Sequence, residues 1–499
     1  VADPRRVPVV VGVGEVRGDP TTPREPIELI LEAASHAEID SQARLLADAD
    51  SVSASNVASW AYHDVAAALA TRLGASPAHT FSAPIGGQWP AQLLDAAAAR
   101  IASGESTVAV IAGGEAQASV SAMQKAGRDP VVDGGWSRDP GGPPHFDLDQ
   151  LGSAAMQHAG TVVPVRIYPL FENRLRFDLG QSVEEADAWS SAMYSAFSSA
   201  AASNPIAWQR EARSAQDIAT VGPKNRMVCE PYPLSMNAMP HVDQAAVVIV
   251  TSLDAARSAG VPENKIVYVW GGAGVTDTQD ILQRSTFGMS DALTSALDRA
   301  LTAASVDGTT LDIVDVYSCF PIVPKMAALH LGMPRSAVLS VTGGHSSFGG
   351  PLNSYSLHSV AAVTKALRSG AKTALVHANG GYMTYQHSVL LGSSPHPDGY
   401  IGTPEPVVLE PSGPVVVAET AGRVVVETAT VEHAKDGSLG QAFLVARDAD
   451  DNRVAVQTAA GDVDSARVLS LYRDDGAREV VGTTVEIEPY GEFVRIRPV

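Results

Sequence analysis

Cysteine is nearly absent: Cys229 and Cys319 are the only two in 499 residues. So few thiols, so far apart, exclude a disulfide framework and any zinc site built from four cysteines, and they read as reduced thiols of a cytoplasmic protein. Aromatic residues are scarce at 6%, and charged residues at 18%. Basic charge is the rarer sign, with 35 Lys and Arg against 55 Asp and Glu and a formal net charge of −20. Such a surface repels phosphate backbones and anionic membranes, so nucleic acid is excluded as an expected partner. No apolar run reaches the roughly 18 residues of a membrane span. The run Val7 to Val13 is too short for a secretion signal and reads as a first buried strand. What is abundant is small and apolar, with 45% hydrophobic residues and 43 glycines. That composition suits large, tightly packed α/β cores in two to four domains.

Continuous apolar runs bounded by turns mark buried strands at residues 7–13, 51–57 and 107–112, with helical periodicity at 26–46, 61–73 and 89–102 between them. The β-α-β-α-β order predicts a parallel sheet covered on both faces. Residues 117–225 break the pattern with the Pro/Gly-rich RDPVVDGGWSRDPGGPPHFD and a helix over 183–201, and are expected as an inserted loop or lid domain. Strands then resume at 245–251, 265–270, 311–316 and 373–377, with helices at 291–304, 322–331 and 353–369. Two β/α halves of like order predict an internal duplication, the first over 1–116 and 226–255, the second over 256–395. A Pro/Gly/Ser-rich linker near 395 leads into short β-branched strands, predicting a small all-β, OB-like domain over 403–499. Its 9 basic and 17 acidic side chains argue against nucleic-acid binding there.

Several segments stand in a telling order: GGQWPAQLLDAAAARIASGESTVAVIAGGEAQ, then SMNAMPHVDQAAVVIVTS, then Asp315-Val316-Tyr317-Ser318-Cys319-Phe320, then Val341-Thr342-Gly343-Gly344 with Gly349-Gly350-Pro351-Leu352, and finally ALVHANGG over 374–381. Together they resemble the thiolase superfamily, in particular sterol-carrier-protein-type thiolases and the thiolase-like proteins that share their ancestry, over about residues 7–393. The resemblance implies a thiolase fold of layers α-β-α-β-α, a coenzyme A thioester as ligand or substrate, no tightly bound cofactor and no metal, and a homodimer as the usual assembly. It also implies the ancestral activity of an acyltransferase of lipid metabolism, an acetyl-CoA acetyltransferase. In such a site a cysteine at a helix N-terminus attacks the thioester, a histidine and a second cysteine shuttle protons, and an oxyanion hole stabilises developing charge.

The sequence departs from that pattern at both reactive positions. The nucleophile position falls on Gly87, and the histidine of the Gly-His-Pro loop falls on Gly350. Glycine offers neither a nucleophile nor a base. Cys319 matches the motif cysteine of its own segment, and Tyr317 matches the tyrosine of thiolase-related aldolases that cleave steroid-CoA side chains; these are the candidate catalytic residues. Gly86, His377, Asn379 and Gly380 are candidate oxyanion or pocket groups, with Asn379-Gly380-Gly381 expected as a tight loop with free backbone N–H groups. His345 reads as a loop histidine, His358 and His387 as structural, and Arg138, Lys224 and Arg226 as candidate phosphate contacts. Three functions remain open: a protein that holds a CoA thioester without ordinary thiolase chemistry, an aldolase-type lyase using Tyr317 or Cys319, and a non-catalytic scaffold.

Overall fold

A computed structural model describes residues 3–138, 140–142, 144, 151–418 and 421–499, so residues 139, 143 and 145–150 of the expected insertion lie outside it. The first half runs β1 (Pro8–Arg17), α1 (Pro26–Ser41), β2 (Ser51–Ala54), α2 (Val65–Leu73), β3 (His79–Ser82), α3 (Trp89–Ser103) and β4 (Val108–Ala116). The insertion adds α4 (Gln117–Lys125), α5 (Ala154–His158), α6 (Pro164–Asp178), α7 (Val183–Ala202) and α8 (Ala215–Ala219). Short strands β5 (Met227–Cys229) and β6 (Tyr232–Pro233) lead back to β7 (Asp243–Ser252) and α9 (Leu253–Ser258). The second half runs β8 (Val267–Thr276), α10 (Asp291–Ala303), β9 (Ile313–Val316), α11 (Ile322–His330), α12 (Tyr355–Arg368), β10 (Thr373–Gly380) and β11 (Tyr385–Gly392). After β12 (Thr403–Val408) come β13 (Val416–Val417), β14 (Gly422–His433), β15 (Leu439–Arg447), β16 (Arg453–Gln457), α13 (Val463–Leu469), β17 (Tyr472–Arg473), β18 (Gly476–Ala477), β19 (Thr484–Tyr490) and β20 (Phe493–Pro498).

Both halves share one sheet in the order β3-β2-β4-β7-β1-β8-β11-β10-β9. The second half mirrors the strand order of the first, less one strand, so the expected duplication is present in topology. The sheet is mixed where a parallel one was expected: β7 is antiparallel to β1 and β4, and β11 is antiparallel to β8 and β10. A buried apolar run reports burial on both faces and carries no information on strand direction.

The halves meet through β1 and β8 at two residue pairs, Val9 with Tyr268 and Val10 with Val267. Past that narrow seam they enclose a central helical layer. Leu93, Leu94 and Ala97 of α3 and Leu357, Val360 and Ala361 of α12 share one apolar cluster with Val248 of β7 and Val376 of β10. On the outer side of the first half, Ile30 and Ala33 of α1 and Leu69 of α2 pack on Val9, Val52 and Val247. On the outer side of the second, Leu293 and Leu297 of α10 and Val323 of α11 pack on Val314 and Leu375. These are the expected layers α-β-α-β-α. Each such buried Val, Leu or Ile side chain stabilises the fold by about 1.5–3 kcal/mol relative to exposure. The close approach of α1 requires glycine: a β-carbon at Gly12 would overlap the Ala37 carbonyl oxygen, and one at Gly14 the Ala33 carbonyl oxygen.

The C-terminal part is strand-rich, as expected, with β13-β16-β15-β14-β19-β20 in one sheet and a parallel bridge from Thr458 to Val494 that curls it on itself. The expected boundary at 403 is crossed from both sides. β12 joins the main sheet beside β8, and β5, expected in the first half, pairs Cys229 with Glu432 of β14. Side chains reinforce the junction. Asn173 of α6 donates to the Ala429 carbonyl at 2.8 Å, Arg176 pairs with Glu479 at 2.6 Å, and the buried Arg453 donates to the carbonyls of Leu282 and Arg284 at 2.6 Å each. No helix among the described residues is long and apolar enough to cross a membrane.

Candidate functional site

Strand β9 ends at Val316, and the chain then turns through Tyr317, Ser318 and Cys319 into α11. The Tyr317 N–H donates to the His377 carbonyl of β10 at 3.1 Å, which holds this turn against the sheet. Opposite it, Gly86 and Gly87 precede α3. A β-carbon at Gly87 would overlap the Tyr317 hydroxyl and lie 2.5 Å from the Asn379 carbonyl oxygen. The tyrosine oxygen therefore fills the space where a side chain at position 87 would begin. Gly86 is held by its own N–H, which donates to the Asn353 side chain at 2.9 Å, and Asn353 in turn reaches the Asn56 carbonyl at 3.3 Å.

Cys319 is partly exposed and sits among Asn379, Tyr168 and the start of α11. Asn379 donates to its sulfur at 3.9 Å and to the Tyr168 hydroxyl at 3.0 Å, and that hydroxyl donates to the Gly381 carbonyl at 2.9 Å. Burial pushes the thiol up to about 12, against the opposing effects of Tyr168, Asn379 and the backbone N–H groups of Phe320 and Cys319 itself. The backbone at a helix start favours a thiolate, but here desolvation outweighs it. Burial likewise pushes the Tyr317 hydroxyl well above its ordinary range, with the Cys319 sulfur adding to the effect. Both groups carry their protons at neutral pH.

His345 departs from the surface loop expected for it. It is 2% exposed, within a single wide turn at Gly344–Phe348. Its ring lies 4.1 Å from that of Tyr317 and stacks on Tyr355 at 3.5 Å between centroids. Burial holds its pKa well below the usual imidazole value. Its Nδ1 accepts the Ser318 N–H at 3.3 Å, which puts the proton of the neutral ring on Nε2, an atom with no hydrogen-bond partner among the described residues. The Gln88 carboxamide oxygen, wedged between Gly86 and Gly380, is likewise buried and without a partner.

Other expectations resolve as follows. Asn379 and Gly380 are the end of β10, in register with Gln386 and Tyr385, and the turn follows them, so the expected free loop lies one step further on. His377 is a core residue bound to Gln386 at 2.7 Å, and burial lowers its pKa to about 4. Gly350 packs near Ala238 and Met239. His358 pairs with Glu15 at 2.7 Å and His387 with Asp95 at 3.0 Å, both buried structural contacts. Arg138 and Lys224 are exposed, and Arg226 lines a separate cavity between the insertion and the additional domain. No group of three or more His, Cys, Asp or Glu among the described residues could hold a metal ion. Tyr168, Gln88 and Asn353 escaped sequence reasoning. Tyr168 lies on a helix of the insertion, whose position over Cys319 has no local signal.

The cluster thus offers three neutral groups that carry a proton, the Tyr317 hydroxyl, the Cys319 thiol and the His345 imidazole, and no thiolate. Comparisons with known proteins frame it. Residues 404–492 match the family model of the thiolase-like protein type 1 additional C-terminal domain. No curated protein sequence matches the chain. Among solved structures, a monomeric SCP2-thiolase-like protein type 1 from Mycobacterium smegmatis is similar over 100% of both chains, with 27% identity and a TM-score of 0.80. The Ltp2-ChsH2(DUF35) aldolase is similar over 78% of this chain and 98% of its own, with 17% identity and a TM-score of 0.61. Human mitochondrial 3-ketoacyl-CoA thiolase in complex with CoA covers the same shares, with 18% identity and a TM-score of 0.57.

Proposed function

From the premise that this chain is a thiolase-superfamily protein resembling sterol-carrier-protein-type thiolase-like proteins, with their added C-terminal domain, we propose that it holds a coenzyme A thioester without the covalent thiolase route. One observation carries this reading: the Tyr317 hydroxyl and the Asn379 carbonyl fill the space at Gly87. An acyl-enzyme needs a nucleophile and a base acting as a unit. Here position 87 has no side chain, and the thiol of Cys319 is held protonated. A thioester-binding role is compatible with the buried Gln88 Oε1 and His345 Nε2, which lie in this cluster and have no protein partner among the described residues. The similarity to a human thiolase crystallised with CoA supports that ligand class. We place the protein in the cytoplasm on its two unpaired cysteines.

The test is calorimetric titration with acetoacetyl-CoA beside a thiolysis assay. Saturable binding without turnover is expected, and Cys319→Ala should leave binding within about threefold. Turnover that Cys319→Ala abolishes would overturn the proposal.

A second reading rests on the placement of Tyr317 between Gly87 and the neutral His345. In retro-aldol cleavage of a β-hydroxyacyl-CoA, the Cα–Cβ bond breaks, the hydroxyl proton released as the carbonyl forms passes through solvent to restore the proton donor, and the thioester enolate takes up that donor's proton. Protonated Tyr317 or Cys319 suits that last transfer. The similarity to an aldolase is compatible with it. If the reading holds, Tyr317→Phe lowers cleavage by about 100-fold or more while KM changes little; unchanged cleavage in that variant removes it.

A further inference from the structure

We propose that the cleft between the insertion and the additional domain is a second small-molecule site, for an apolar body that ends in an anionic group. The cavity holds about 750 Å³, within the range of ligand pockets. Its floor is buried and apolar, made by Met227, Pro231, Pro233 and Met236. Its two rims come from distant parts of the chain: residues 221–223 after α8, and the turn at 435–437 between β14 and β15. Neither part encloses the space alone.

The lining balances Arg226 and Lys435 against Asp187 and Asp436, so the placement of free donors, and not net charge, points to the ligand's polar end. Arg226, half-buried, donates Nη1 to the Met227 carbonyl at 3.1 Å. Lys435 is exposed and has no hydrogen bond or ion pair among the described residues. The two acids of the lining each have one oxygen taken by a neutral donor of the protein. Asp187 accepts the Tyr472 hydroxyl at 2.8 Å, and Asp436 accepts the Ser438 N–H and hydroxyl at 3.0 and 2.6 Å within its own turn. The remaining base, His433, faces the buried Glu230 at 2.8 Å, so that pair is self-compensated. Arg226 uses only Nη1 and Lys435 has all its donors to spare, so a carboxylate at the rim with its apolar tail on the floor meets both surfaces.

This site is separate from the Tyr317–Cys319 cluster, none of whose residues lines it. The two are back to back: Tyr232, between the floor residues Pro231 and Pro233, stacks on Phe320 next to Cys319, with centroids 5.8 Å apart. The proposal does not depend on the thioester reading.

Calorimetry on the full chain with dodecanoate and dodecylammonium, both below their micelle concentrations, tests it. Dodecanoate should bind with one-to-one stoichiometry, and dodecylammonium at least about tenfold more weakly. Arg226→Gln should weaken dodecanoate by about tenfold. Val221→Trp, at a rim position 52% exposed and so tolerant of substitution, should block the mouth and abolish binding. Three results would each overturn the proposal: no binding of dodecanoate, equal binding of the two amphiphiles, or dodecanoate binding unaltered in both variants.

Discussion

The two helices of the central layer, α3 and α12, are entered through glycine-rich loops that look alike in sequence and differ in packing. Each loop carries a glycine where the family resemblance calls for a reactive side chain, Gly87 before α3 and Gly350 before α12. The space at Gly87 is taken by the Tyr317 hydroxyl and the Asn379 carbonyl. The space at Gly350 is tight but not filled, since a β-carbon there would meet the Ala238 β-carbon at 3.3 Å and the Met239 carbonyl oxygen at 3.4 Å. The first loss is built into the surrounding structure and the second is not. The side chains of the candidate cluster correspondingly gather on one side: Tyr317, Cys319, His345 and Asn379 all come from the second half. A duplicated fold can thus keep both halves of its sheet while one half supplies most of the side chains at the candidate site.

The largest effect should come from forcing a side chain into the filled corner. Gly87→Ala is expected to cost about 3 kcal/mol in urea unfolding, because a tyrosine ring and a backbone carbonyl must both move. In a Tyr317→Phe background the same change should cost about 1 kcal/mol less, a coupling that a double-mutant cycle reads directly. A Gly87→Ala protein as stable as the wild type would mean that the corner is open and the contrast with Gly350 is false.

The strands that follow the two helices extend the contrast to pH. β4 ends near Glu115, fully buried, accepting the N–H groups of Ala58 and Ser59 at 2.9 and 2.8 Å, and burial raises its pKa to about 7. β10 carries His377, whose pKa burial lowers to about 4. Their linkage has opposite sign. For Glu115 the folded pKa lies above the unfolded value, so its contribution is fully present below about 4.5 and is lost as pH rises through 7. For His377 the folded pKa lies below the unfolded value, so its contribution is present above about 6.5 and is lost as pH falls through 4. Between pH 5 and 8 the wild type should therefore lose about 2–3 kcal/mol more than Glu115→Gln does. Parallel stability curves for the two proteins would show that Glu115 is not the source.

How far the sequence carried this picture follows from what is local. Most strand runs and the central helices are patterns of neighbouring residues and stand close to where periodicity puts them, whereas β3 and β11 were not expected and α1 ends at Ser41, short of the expected 46. The emptiness of position 87 was legible as a bare glycine. What filled it was not, because Tyr317 lies 230 residues away in sequence and no spacing rule joins them. His345 was misread for the same reason: a Gly-Gly-His-Ser-Ser stretch has the composition of a surface loop, but Tyr317 and Tyr355 cover it in the fold. The direction of β7 and β11, and the passage of β12 into the main sheet, depend on long-range pairing that apolar runs do not encode.

The smallest effect is expected at the second glycine, and it tests the comparison most finely. A methyl group at Gly350 needs Ala238 and Met239 to give by only a few tenths of an ångström. The backbone of Gly350 itself is not in the left-handed region, unlike its neighbour Gly349 at φ 125°. Gly350→Ala should accordingly change unfolding free energy by less than about 1 kcal/mol, whereas Gly349→Ala combines an unfavourable φ with overlap of the Gln244 side chain and should cost clearly more. If Gly350→Ala proves as damaging as Gly87→Ala, both helix entries are equally committed, and the asymmetry between the halves lies in chemistry alone and not in packing.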